Sequence, residues 1–297
     1  MEKSKIHPDG PAFSRIVTGA WRWQHLSAQA VAGLIDTSLE EGITTFDHAD
    51  IYGAYTCESQ FGNAVRNRSS WRTAMQLVTK CGIKPLSDKR PDHRVQHYDT
   101  TRHHILASVD QSLKNLQTDY IDLLLIHRPD PLMDPAEIAE AFDVLKQKGK
   151  VLYFGVSNFT PAQFEMLQSY VHDPLVTNQI EMSLFVHHLL FDGTVDTLMK
   201  HRASPMAWSP LGGGKYFSES GQDDSVHRPL EELAIKYDCS VTQLLVAWIL
   251  KHPSGMFPIL GSTNPDRIAE GARSVDVPLD RQDWFAMLKL ASGKDVP

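Results

Sequence analysis

Short apolar runs of strand-like composition alternate with longer helix-like segments from about residue 15 to the end of the chain, and this alternation constrains the fold more than any other feature. Such a pattern calls for parallel strands joined by crossover helices. The runs lie near Val17 and at Thr44–Asp47, Leu77–Thr79, Ile121–His127, Phe154–Ser157, Val176–Gln179, Met206–Trp208 and Ile259–Leu260, eight in all. The segments between them carry helix-end chemistry. Ser27 is placed to cap a helix whose apolar face is Val31, Leu34, Ile35 and Leu39, and Gly42 to end it. Thr160-Pro161-Ala162-Gln163 and Asp134-Pro135-Ala136-Glu137 each put an acceptor at the cap, proline at the first helical position and Gln or Glu at the third.

No long linker or shift in composition divides the 297 residues, and the one stretch rich in flexible residues is Leu211–Ser225. A single domain over residues 1–297 is expected. Its class is α/β, and eight units of this size fit a closed (β/α)8 barrel, although a doubly wound open sheet gives the same one-dimensional pattern. No Gly-x-Gly-x-x-Gly follows a strand, so the open dinucleotide-binding sheet lacks its fingerprint. Gly212-Gly-Gly-Lys215 is no phosphate-binding P-loop either: its glycine spacing is wrong, and Tyr216 stands where a Ser or Thr is needed.

A net charge of −7 and a pI near 6.0 give no electrostatic footprint for nucleic acid or an anionic membrane. Cys57, Cys81 and Cys239 form no CxxC pair and no metal-ligand spacing, which points to a reducing, cytoplasmic setting. The first ten residues hold no apolar targeting core, and the apolar run Leu244–Leu250 is too short to span a bilayer. The expected partner is a small molecule, and the expected state a monomer.

In a parallel barrel, function gathers at the C-terminal ends of the strands. Four residues there make chemical sense together: Asp47 and Tyr52 after the second run, Lys80 after the third and His127 after the fourth. A carbonyl that accepts hydride becomes an alkoxide and needs a proton, and a phenol of ordinary pKa about 10 is a reluctant donor at neutral pH. Lys80 is expected to lower that pKa, Asp47 to hold Lys80 by a charge-assisted hydrogen bond, and His127 to bond the carbonyl oxygen or share the proton.

Asp47-His-Ala-Asp-Ile-Tyr-Gly53, followed by Lys80 and His127 at the next two strand ends, resembles the signature of the aldo-keto reductases. The resemblance continues through Gly155-Val-Ser-Asn-Phe159, Asn178-Gln179, Trp208-Ser-Pro-Leu-Gly212 and Gly261-Ser-Thr-Asn264, and the bacterial oxidoreductases of the family are the most similar. It implies a (β/α)8 barrel that reduces aldehydes or ketones to alcohols with NADPH, NADH being the lesser alternative, with Tyr52 as general acid and no metal. It also implies that Ser157, Asn158 and Gln179 hold the nicotinamide carboxamide and that Trp208 stacks on the nicotinamide. Ser209, Leu211 and Gly212 would lie along the pyrophosphate; Ser262 and Arg267 would reach the 2′-phosphate, and Glu270 the adenine. Gly19 and Thr263 complete the implied set. The family usually has Tyr at position 208, and often Lys at 261 and Asn at 271, where this chain has Trp208, Gly261 and Gly271. Arg267 also has a logic of its own, because Asn264 caps and Pro265 begins a helix whose N-terminus attracts anions.

Trp21 and Arg128 are expected to line the substrate pocket, with the residues up to Pro131 and Phe159 as further walls. Arg281–Leu290 reads as a final helix with only Gly293–Pro297 close behind, so a long specificity loop is not expected and the pocket should be open. Three other readings compete. A cofactor-binding sensor or regulatory subunit would turn over little, and a Schiff-base aldolase would need Lys80 as a neutral amine, which Asp47 disfavours. A metal hydrolase would use His48, Asp50 and His127, but no second His pair has ligand spacing.

Overall fold

The computed structural model describes residues 1–68, 70–217 and 224–295, so part of the Leu211–Ser225 stretch and the last two residues lie outside the described residues. Eight strands form a closed, all-parallel barrel: β1 (Val17–Gly19), β2 (Thr45–Asp47), β3 (Gln76–Cys81), β4 (Ile121–Ile126), β5 (Val151–Ser157), β6 (Leu175–Glu181), β7 (Met206–Trp208) and β8 (Phe257–Leu260). Each pairs with its neighbour in sequence, and β8 closes on β1 through Ile259 opposite Val17. The open-sheet alternative is thereby excluded, and every expected strand is present.

Side-chain alternation along the strands sorts residues between the barrel interior and the helical layer. On β3, Val78 joins the interior cluster with Val17, Leu123, Leu125, Val176, Met206 and Phe257, whereas Leu77 and Cys81 pack outward against the helices. Lys80 shares the inward parity of Val78. A hairpin formed by Lys3–Lys5 and Ala12–Ser14 precedes β1, and its Ile6 and Phe13 fill the end of the barrel where the strands begin. The interior is therefore apolar at the strand starts and polar where the strands end.

The described helices that bear on the site are α1 (Ala28–Glu40), α2 (Cys57–Val65), α3 (Arg102–Leu116), α4 (Pro135–Gln147), α5 (Pro161–Gln168), α6 (Val241–Leu250) and α7 (Pro265–Ala272). Ser27 caps α1 by accepting from the Ala30 N–H, and Gly42 takes the left-handed conformation beyond its end. Thr160 and Gln163 close a reciprocal capping box on α5. Asp134 caps α4 as expected, but Glu137 does not reach back to complete a box. Its carboxylate accepts from the Arg102 N–H at 2.8 Å and ties the start of α4 to the start of α3. No single helix among the described residues is long and apolar enough to cross a membrane; the apolar run Leu244–Leu250 belongs to α6, largely buried against the barrel.

Helices α2 and α3 approach most closely at Gly62, where a Cβ would meet the Asn115 carbonyl oxygen at 2.2 Å. Backbone cannot yield there as a side-chain tip could. Gly62→Ala is accordingly expected to lower stability by about 1–3 kcal/mol in urea unfolding; unchanged stability would refute the close contact.

Candidate active site

β2 and β3 deliver the two charges at the centre. Asp47 ends β2, opposite Val78 of β3, so Lys80 emerges two residues further along on the same inward face. Its Nζ lies 2.8 and 2.7 Å from the two Asp47 oxygens, 2.7 Å from the His48 carbonyl and 3.0 Å from the Tyr52 hydroxyl. Lys80 is fully buried and Asp47 nearly so. An ammonium only donates, so Tyr52 accepts from Lys80 and keeps its own O–H proton for another acceptor.

Burial, reinforced by Asp47, pushes the Tyr52 phenol well above its ordinary pKa, while Arg128 opposes the rise. This corrects the expectation that Lys80 lowers it. Burial outweighs the ammonium, and the Asp47 carboxylate in contact with that ammonium opposes its field at Tyr52. Tyr52 is thus a protonated donor here and not a phenolate. Burial also lowers the Lys80 pKa, with Asp47 acting in the opposite direction. His127 ends the run of β4 and is held neutral: burial, then the Lys80 and Arg128 charges, put its pKa well below the ordinary value. Its ring meets Tyr52 edge to face at 5.9 Å between centroids, and its buried Nδ1 has no partner among the described residues.

The backbone after Tyr52 is unusual, because Gly53, Ala54 and Tyr55 all have positive φ. For Ala54 and Tyr55 this costs roughly 1–2 kcal/mol each. Thr56 holds the turn, its hydroxyl donating to the Gly53 carbonyl at 2.6 Å and its N–H to the Tyr52 carbonyl at 3.0 Å. Trp21, 59 % exposed, stands edge-on to Tyr52 with centroids 5.1 Å apart, and Arg128 lies 5.7 Å from the Trp208 ring. Phe159 is not a pocket wall: it is 2 % exposed and packs in the core with Phe154 and Phe164, its main chain bonded to the Asn178 amide.

The residues implied for the nicotinamide form one connected group. Trp208 Nε1 donates to Asn158 Oδ1 at 3.0 Å, Asn158 donates to Ser157 Oγ at 2.7 Å, and Ser157 donates to the Gln179 carbonyl at 2.9 Å. The Gln179 side chain in turn donates through Nε2 to Asp47 at 2.8 Å, and its Oε1, unlike the main-chain oxygen that takes Ser157, accepts no bond among the described residues. The indole is held through its N–H by a bond that the usual tyrosine ring could not make, so Trp208 has a fixed orientation of its own. Ser209 and Gly212 have positive φ, and Leu211 is half-buried beside them.

A second group gathers at the start of α7. Asn264 accepts from the Asp266 N–H at 2.8 Å, Ser262 accepts from the Asn264 N–H at 3.1 Å, and Thr263 is exposed. Arg267 is exposed and forms no ion pair among the described residues. Glu270 accepts a short bond from the Ser240 hydroxyl, the cap of α6, which commits one of its oxygens within the protein. Gly19 and Gly271 have packing reasons to be glycine: a Cβ would meet Ile259 at 2.8 Å and Leu260 at 2.5 Å respectively. Around Gly261 there is open space.

Behind the site lie Glu58, which drew no attention in the sequence, and Asp50 and His48, which the sequence offered only as metal ligands. Glu58 is buried and accepts from the Thr79 hydroxyl at 2.7 Å, and Asp50 accepts from the Ser108 hydroxyl at 2.9 Å. Thr79 points outward where Lys80 points inward, so both carboxylates lie behind the lysine; the signal was the strand parity of Thr79 and Lys80. His48 is buried between Trp23 and Phe61, and burial, helped by Lys80, lowers its pKa to about 3. It contributes its carbonyl to Lys80 and its ring to the core, so the His48–Asp50–His127 metal arrangement has no geometric basis.

The chain belongs to the aldo/keto reductase family, whose model matches residues 15–291. It is 49 % identical over 290 residues to the uncharacterised oxidoreductase YcsN of Bacillus subtilis (96 % of each chain) and 47 % identical over 305 residues to the oxidoreductase YdhF of Escherichia coli (the whole of both). A 6-dehydroglucose reductase of Agrobacterium fabrum is 45 % identical over 287 residues, 96 % of each chain. The thermostable aldo-keto reductase Tm1743, solved with the inhibitor epalrestat, superposes with a TM-score of 0.84 at 24 % identity over 98 % of this chain and all of that one, which confirms the fold.

Burial, with Glu58 adding to it, raises the Asp50 pKa to about 7. The folded protein then binds a proton that the unfolded chain releases near the ordinary value of 3.8, so this contribution to stability is present below that pH and is lost as pH rises through 7. Asp50→Asn removes the titration. Measured by urea unfolding at pH 4.5 and 7.5, the variant is expected to gain on the wild type at the higher pH; a difference independent of pH would contradict the assignment.

Proposed function

We propose that the protein reduces aldehyde or ketone carbonyls to alcohols with NADPH, Tyr52 supplying the proton. The observation that carries this reading is the hydroxyl of Tyr52, which accepts from Lys80 at 3.0 Å and so has its own proton free at the mouth of a buried Lys80–Asp47 pair. The family uses nicotinamide cofactors, and the bound cofactor supplies the hydride. The donor set here fits one: an indole face of fixed orientation, an amide acceptor on Gln179, and the Arg267 guanidinium, in no ion pair among the described residues, beside a capped helix N-terminus.

This chain's residues then divide the work. Tyr52 donates its O–H to the carbonyl oxygen and passes the proton as negative charge develops there. Lys80, donating to the same phenol oxygen, stabilises the charge left on Tyr52, and Asp47 keeps the ammonium in place. Neutral His127, across from Tyr52, offers a ring N–H to the same oxygen and orients the substrate. Ser157, Asn158, Gln179 and Trp208 fix the nicotinamide plane, and orientation is much of what such an enzyme contributes. Arg267 with Ser262 favours the cofactor that bears a 2′-phosphate.

Lys80 is a poor imine-forming amine, since its buried Nζ is committed to Asp47, His48 and Tyr52. Sugar-sized hydroxyaldehydes are the substrates to test first, because relatives 45 % and 36 % identical are named 6-dehydroglucose reductases. The exposed Trp21 and the half-buried Arg128 suit such a substrate at an open, partly polar mouth.

Tyr52→Phe is expected to lower the reduction rate by about 10²–10⁴-fold while a fluorescence titration with NADPH remains unchanged; retained activity would remove Tyr52 from the proton transfer. Arg267→Ala should weaken NADPH by about tenfold or more and leave NADH nearly unaffected, in keeping with the loss of a charged hydrogen bond. Equal weakening of both would place the guanidinium elsewhere.

A further inference from the structure

Behind the turn that follows Tyr52, a second cleft of about 430 Å³ opens between α2, α3 and the hairpin formed by Ile83–Lys84 and His97–Tyr98. That volume lies in the range of roughly 300–1,000 Å³ common to small-ligand sites. None of Asp47, Tyr52, Lys80, His127 or the residues expected at the cofactor lines it.

The floor carries unmet hydrogen-bonding capacity. Three lining residues, Asp50, Tyr55 and His104, each have a buried polar atom with no partner among the described residues: Oδ1, the hydroxyl and Nε2. A buried polar group left unpaired costs about 1–3 kcal/mol, so three at one cleft are a place where a bonding partner is missing. Their types differ. Asp50 Oδ1 accepts when ionised, and the Tyr55 hydroxyl both donates and accepts. The His104 Nδ1 faces the Lys84 ammonium at 3.1 Å, which only donates, so Nε2 carries the ring hydrogen and donates. A hydroxyl, which donates and accepts, complements such a mixed set; a carboxylate or an ammonium alone does not.

The rim carries positive charge. Lys84, Lys89 and Arg90 line the cleft and none is ion-paired with a carboxylate among the described residues. The Arg90 guanidinium lies over the Tyr55 ring at 4.5 Å from its centroid, joining the rim to the floor. The acidic lining residues, Asp50 and Glu58, are instead bonded to Ser108, Thr79 and Asn115. Cations above and mixed hydroxyl-binding groups below describe one kind of guest.

We propose that this cleft is a second binding site, separate from the reductase site, for a small polyhydroxylated anion such as a sugar acid or sugar phosphate. Its hydroxyls bond Asp50, Tyr55 and His104, and its anionic group sits among Lys84, Lys89 and Arg90. The claim does not depend on catalysis by Tyr52.

Isothermal titration calorimetry of the full chain at fixed ionic strength tests it, with gluconate and glucose 6-phosphate as probes and sorbitol and acetate as controls. Both probes are expected to bind saturably, the tighter one identifying the preferred anionic group. Sorbitol, lacking the charge, and acetate, lacking the hydroxyls, should bind at least about tenfold more weakly. Tyr55→Phe and Lys89→Ala should each weaken probe binding by about fivefold or more, with the NADPH titration unchanged as evidence of an intact fold. No saturable heat from either probe, equal binding of acetate, or probe binding indifferent to both substitutions would overturn the proposal.

Discussion

The ion pair between Lys80 and Asp47 is the contact on which the rest of the site depends. Two charges so deeply buried would be costly alone, and even paired they require excellent geometry and further hydrogen bonds. Both are provided here: the carboxylate takes Lys80 on both oxygens and Gln179 on one, and the ammonium also bonds the His48 carbonyl and Tyr52. Burial, with Asp47 adding to it, keeps Tyr52 protonated although the phenol touches an ammonium. A donor held at the ready differs from the phenolate that a bare lysine would favour.

Barrel geometry makes this arrangement possible. Parallel neighbours in register bring the end of β2 beside the end of β3, and strand parity turns Lys80 inward while Thr79 faces the helices. The same parity places Glu58 and Asp50 behind the lysine, so a layer of buried carboxylates backs the site from outside the barrel. Gln179, on β6, extends the network across the barrel to the Ser157–Asn158–Trp208 group. The side proposed to donate the proton and the side expected to hold the cofactor are therefore linked through Asp47.

All eight strands and the convergence of Asp47, Tyr52, Lys80 and His127 could be read in the sequence, because strand ends in a parallel barrel announce themselves as polar residues after apolar runs. Local caps were equally legible at Ser27 and Thr160. What escaped was long-range: Glu137 looked like half of a capping box but bonds the start of the preceding helix, 35 positions away in the chain. Phe159 looked like a pocket wall by position but is core, since chain position after a strand does not fix which way a ring turns. The direction of the Tyr52 shift escaped for a similar reason. Sequence named the lysine and the aspartate as neighbours but could not weigh burial against their opposing charges. Gln179 read as a ligand amide, and only its distance to Asp47 showed that one end is already used.

The central claim is that Tyr52 and Lys80 act as one unit, and a double-substitution cycle tests it most directly. Reduction rates are compared for the wild type, Tyr52→Phe, Lys80→Met and the combination, with folding checked by circular dichroism. Residues that act as a unit are grossly non-additive. The double variant is expected to be no slower than the slower single one. Losses that multiply across the two substitutions would contradict the account and make Lys80 an independent, structural contributor.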